Sequence, residues 1–130
     1  MRLLILFFAL FMALAAICSA EEYQLSGKAG DYNVVMTFGQ ARPVEGENRT
    51  EVTITDKASR PVTDAHVKVE YLMPSFPGRA PMMDYATTAK PLGMVYEATL
   101  NLTMKGEWKA VVTVERGKQK NTVSFPFEVK

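Results

Sequence analysis

The sequence predicts an all-β fold: a single immunoglobulin-like antiparallel β-sandwich behind an N-terminal signal peptide. Three observations predict it. Apolar and polar residues alternate along most of the chain, turn signals bearing Gly or Pro interrupt that alternation at short intervals, and no window after residue 20 carries a helical apolar stripe.

The leader comes first. Arg2 supplies a positive start, Leu3 to Ile17 form an uncharged run of 15 residues, and Cys18-Ser19-Ala20 places small residues ahead of Glu21-Glu22. That layout predicts a secretory signal over residues 1–20, cut after Ala20, with export across the inner membrane to the periplasm. The run is shorter than the roughly 20 residues that span a bilayer. Retention as a membrane anchor and lipid attachment at Cys18 stay open as alternatives; bulky Ile17 ahead of Cys18 disfavours the second.

The predicted domain, residues 21–130, is 110 residues long, enough for one compact unit. It holds no Cys, so neither disulfides nor thiolate metal ligands are available to it. Its 14 Lys and Arg balance 14 Asp and Glu, with signs interspersed, which speaks against nucleic acid or an anionic membrane surface as partner.

The strands follow in order. Tyr32, Val34, Met36 and Phe38 share one parity, as do Val52 and Ile54, then Val67, Val69, Tyr71 and Met73. Met94, Tyr96, Ala98, Leu100, Leu102 and Met104 form a longer row. Trp108, Ala110, Val112 and Val114 precede the last row, Val123, Phe125, Phe127 and Val129. Residues between them are mostly charged or hydroxylic, so each strand buries one face. Gly30-Asp31, Glu45-Gly46-Glu47-Asn48, Lys90-Pro91-Leu92-Gly93, Lys105-Gly106-Glu107 and Arg116-Gly117-Lys118 read as the turns. Six to eight short strands in one domain result. Asp84-Tyr85 and Glu70-Tyr71 are expected at edge or outward positions.

Catalysis needs a nucleophile with its base, paired carboxylates in a pocket, or a metal with an open position. Past residue 20, one His, no Cys and no phosphate-cradling Gly loop offer none of these, so the chain reads as non-enzymatic. His66, beside Asp64, reads as a solvated surface residue.

The segment from Met73-Pro74 through Phe76, Arg79 and Pro81 to Met82-Met83 carries the chemistry. Thioether sulfur is a soft, uncharged ligand suited to Cu(I), with Ag(I) the other soft candidate, and equally an adaptable packing group. A strand rises about 3.3 Å per residue, which puts His66 about 23 Å from Met73 and on the opposite face. The same rise separates Met94 from Met104 by about 33 Å. Pairing residues 82–89 with residues 94–104 across the Lys90–Gly93 turn would leave Met94 at the turn and bring Met104 beside Met82 and Met83. The candidate metal cluster is therefore Met73, Met82, Met83 and Met104, with Trp108 as an aromatic wall. A competing reading keeps these sulfurs as core packing. It makes the chain an interaction module that docks through an edge strand, or through Phe76 between Pro74 and Pro77.

Gly46-x-Asn48, Asp56 with Pro61-Val62, Ala65-x-Val67-x-Val69, Met73-Pro74, Gly93-x-x-Tyr96-x-Ala98-x-Leu100 and Met104-x-Gly106-x-Trp108 occur in that order. Together they resemble the YtkA-like domain family, to which FixH-like proteins are related, over roughly residues 43–129. The resemblance implies an exported or tethered sandwich acting as an accessory to a membrane metal-efflux or copper-handling complex. Relatives often carry further Met after Met-Pro, at positions that correspond here to Phe76 and Arg79.

Overall fold

The computed structural model describes residues 22–74 and 83–130. Among them it forms nine strands and no helix: β1 (Tyr23–Ala29), β2 (Tyr32–Phe38), β3 (Gly46–Thr55), β4 (His66–Met73), β5 (Met83–Thr88), β6 (Lys90–Leu92), β7 (Val95–Leu102), β8 (Gly106–Arg116) and β9 (Gln119–Val129). Sheet A runs β1-β2-β3-β7-β6 and sheet B runs β5-β4-β8-β9, every ladder antiparallel. The leader, Phe76, Arg79 and Met82 lie outside the described residues.

Period-two patterning decides which side chains are inside. Val34, Met36, Val52, Ile54, Val67, Val69, Leu100, Leu102, Trp108, Ala110, Val112 and Val114 are all buried, and the two sheets close over them. Gly27 breaks the apolar row of β1 for a packing reason. A Cβ there would stand 2.9 Å from Val123 Cγ2 and 3.0 Å from Phe125 Cε1, so only glycine lets β1 approach β9 this closely.

Two polar devices fix the joints. The Tyr96 hydroxyl donates to the Val62 carbonyl at 2.9 Å and accepts from the Ala65 amide at 3.0 Å, pinning the β3-to-β4 crossover to β7. Buried Asn48 accepts from the Val44 amide and donates to the Val44 and Gly46 carbonyls, shaping the entry to β3.

Several expected boundaries shift. The row from Met94 to Met104 overreaches: β7 ends at Leu102, and Met94 and Met104 are 62% and 37% exposed. Gly46 and Gly106 open strands rather than occupy turns, and Asn48 lies inside β3. Tyr71 follows the parity of Val67 and Val69 into the core, against its expected edge or outward placing beside Glu70. The largest correction concerns residues 83–92. β5 pairs with β4 rather than β7, and the residues taken for a turn form β6, which pairs with β7. Ala89 is the pivot: it is buried, and its amide bonds to the Val67 carbonyl just before the chain crosses to sheet A.

Candidate functional site

β4 ends, β5 and β8 begin, and the β7-to-β8 crossover passes at the same end of the sandwich. The register makes this concrete, since Met73 is paired with Met83, Leu72 with Lys109, and Gly106 with Val129. Met94 and His66 belong to the far end, with the β6–β7 turn and the start of β4. Met73, Met83 and Met104 therefore lie at one pole despite the corrected pairing of β5, because β4 delivers Met83 there as surely as β7 would have. Met82, one residue before β5, falls outside the described residues.

Each position has its own support. Met73 is half-buried and packs against the core. Its ε-methyl lies 2.9 Å from where a Cβ on Gly106 would stand, and Gly106 has φ +131°, so the first residue of β8 must be glycine on both counts. Met104 sits in the crossover between the sheets, where its carbonyl accepts the Trp108 indole N–H at 3.0 Å. Met73 and Met83 form a directly opposed pair on the ladder, a spacing of about 5.5 Å between Cα atoms for a hydrogen-bonded pair.

Trp108 is 1% exposed, and its ring belongs to an aromatic cluster. It stands 6.2 Å from Tyr71 and 6.5 Å from Tyr85, while Tyr71 and Tyr85 stack at 5.3 Å. Tyr85 is 37% exposed, so the cluster runs from the core to the surface along the β4–β5 ladder. Neither tyrosine announces its place beside Trp108 in the sequence. Their opposed register, Tyr71 to Tyr85, depends on a strand pairing that local patterning does not encode.

A cleft of about 290 Å³ opens beside the pole, lined by Pro74, Trp108, Pro126 and Phe127, with Glu107 and Glu128 facing each other across β8 and β9. Among the described residues no three His, Cys, Asp or Glu side chains gather. Met73, Met83 and Met104 stand at the same end as these two carboxylates, and a thioether, unlike a carboxyl, needs no deprotonation to bind a soft cation.

Two groups away from the pole titrate away from their ordinary values. Backbone amides of Arg60 and Ala58, with the Arg60 guanidinium, hold the Asp56 carboxyl below its ordinary range in the β3-to-β4 turn. Tyr32 and then Asp64 raise Arg116, whose Nε is 3.0 Å from the Asp64 carboxylate.

A family model for YtkA-like proteins matches residues 26–115. The chain belongs to the YtkA-like family. No curated protein matches it. Among solved structures, the YtkA-like sandwich is similar to the soluble domain of PmoD from Methylocystis sp. ATCC 49242 (Rockwell). The two are 16% identical with a TM-score of 0.54, over 82% of this chain and 96% of that one. At that identity the likeness is one of fold.

Proposed function

We propose that this YtkA-like chain is an exported, non-enzymatic accessory domain that binds or relays Cu(I) through the Met pole. Met73, Met82, Met83 and Met104 supply the thioethers and Trp108 the aromatic wall. Family membership and a sandwich like that of the PmoD soluble domain fit an accessory domain. The observation that carries the metal reading is the meeting of three separate segments at one pole. β4 ends in Met73, β5 opens with Met83, and the crossover holding Met104 is tied to Trp108. A Trp face over a bound cation adds about 0.5–2 kcal/mol and limits access of water and oxidant. A membrane metal-efflux or copper-handling complex is the partner such a domain would serve.

The test replaces Met82 and Met83 together with Leu. Leu keeps the bulk, so stability should change by less than about 1.5 kcal/mol, while two soft donors disappear. Competition against a colorimetric Cu(I) chelator should show weaker binding by the double variant. Equal affinity of the variant and the wild type would refute the assignment of these residues.

A further inference from the structure

We infer that β5 is a pairing edge for a second copy of this chain, joining two sheets B into one continuous eight-stranded sheet. Such pairing needs no metal, and the edges of the two sheets differ in how they are guarded. An unpaired strand offers a row of free N–H and C=O groups, and folds usually guard it with Lys, Pro or a covering element. β9 carries Lys120 and Pro126, and β1 lies against it, with Gly27 near Val123 and Phe125. β6 is three residues long and includes Lys90 and Pro91. β5, Met-Asp-Tyr-Ala-Thr-Thr, has no Lys, Pro or Gly, and among the described residues it pairs on one side only.

The ladder fixes which groups face outward. The Ala89 amide donates to the Val67 carbonyl, and Val67 stands opposite Ala89 by continuation of the β4–β5 register. Hydrogen-bonded and non-hydrogen-bonded pairs alternate in an antiparallel ladder. Thr87, Tyr85 and Met83 therefore bond to β4, and Asp84, Ala86 and Thr88 direct their backbone groups away from it. All three of these residues are exposed.

A two-fold axis normal to the sheet through Ala86 pairs those groups reciprocally. Ala86 meets Ala86 of the other copy, and Asp84 meets Thr88 twice. Each of the three pairs exchanges two hydrogen bonds, so every outward group of residues 84–88 finds a partner. The register is also self-complementary in its side chains. The small Ala86 lies on the axis, the Asp84 carboxylate faces a Thr88 hydroxyl, and no like charges oppose each other. Isologous pairing of this kind closes at two copies and leaves no growing edge.

Sedimentation equilibrium of the full chain tests it, with Ala86→Lys and Ala86→Glu as variants. Position 86 is exposed and its amide is not used by β4, so both variants should retain the β spectrum of the wild type. The wild type should form a dimer. Each variant alone should be monomeric at concentrations where the wild type is dimeric, because like charges then meet on the axis. An equimolar mixture of the two should recover a dimer. A wild type that stays monomeric at every concentration overturns the inference, as does a variant that dimerises like the wild type, or a mixture that remains monomeric. Amide exchange gives a check that needs no substitution. Protection of Asp84, Ala86 and Thr88 should rise with protein concentration, and concentration-independent exchange at all three would also overturn the pairing.

Discussion

Replacing Tyr96 with Phe removes one oxygen and should cost the fold more than any other change of that size. The hydroxyl is buried and serves two backbone groups at once, the Val62 carbonyl at 2.9 Å and the Ala65 amide at 3.0 Å. Val62 is 1% exposed and Ala65 9%, so water has little access to either. A buried polar group left without a partner costs about 1–3 kcal/mol. Two such groups, partly relieved by local relaxation, put the loss at about 2–4 kcal/mol. At about 4 °C per kcal/mol for a domain of this size, the melting midpoint should fall by at least about 8 °C. Urea unfolding followed by Trp108 fluorescence would measure this directly, with the slope unchanged if only native contacts are lost. Tyr96 lies at the far end of β7 from Met104, so Cu(I) affinity of the folded variant should match the wild type. A stability loss below about 0.5 kcal/mol would refute the view that this hydroxyl pins the crossover.

Two further predictions concern single positions. Gly106→Ala forces a side chain onto a backbone at φ +131° and toward the Met73 ε-methyl. It should cost about 1–3 kcal/mol in urea unfolding and weaken Cu(I) binding by displacing the thioether. Asp56 has its carboxyl held below the ordinary range, chiefly by the Arg60 amide, so its contribution is present above the unfolded value and lost as pH falls through the folded one. The stability gap between wild type and Asp56→Ala should therefore be open at neutral pH and close in acid, which urea titrations at pH about 7 and about 3 would show.

The fold class was legible because burial on one face writes a period of two into the sequence, and the rows from Tyr32, Val67 and Trp108 carried it cleanly. β1 was not legible. Its inward row includes Gly27, chosen for closeness to Val123 and Phe125 and therefore silent in hydropathy. Asn48 imitated a turn residue because its side chain does organise a turn, from inside a strand. The partner of β5 was illegible for a different reason. A turn-sized interval between two apolar runs implies a hairpin, yet Ala89 sends the chain to the other sheet and makes β4 the partner.

At the pole, spacing alone placed Met73 and Met104 at one end of the sandwich, although Met104 lies beyond β7 and is exposed rather than on a buried row. A β5–β7 hairpin would set the start of β5 beside the end of β7 and the observed β4–β5 hairpin sets it beside the end of β4, and both of those ends lie at the same pole. Tyr71 and Tyr85 needed the true register before they could be seen as a stack against Trp108. Phe76 and Met82 lie outside the described residues, and their roles rest on the sequence.

The most direct test of a thioether metal site is the ligand atom itself. X-ray absorption at the copper edge, on Cu(I)-loaded protein, should show a first shell dominated by sulfur, which loses sulfur scatterers when Met82 and Met83 are both Leu. A first shell of nitrogen and oxygen only, unchanged between the two proteins, would contradict the account.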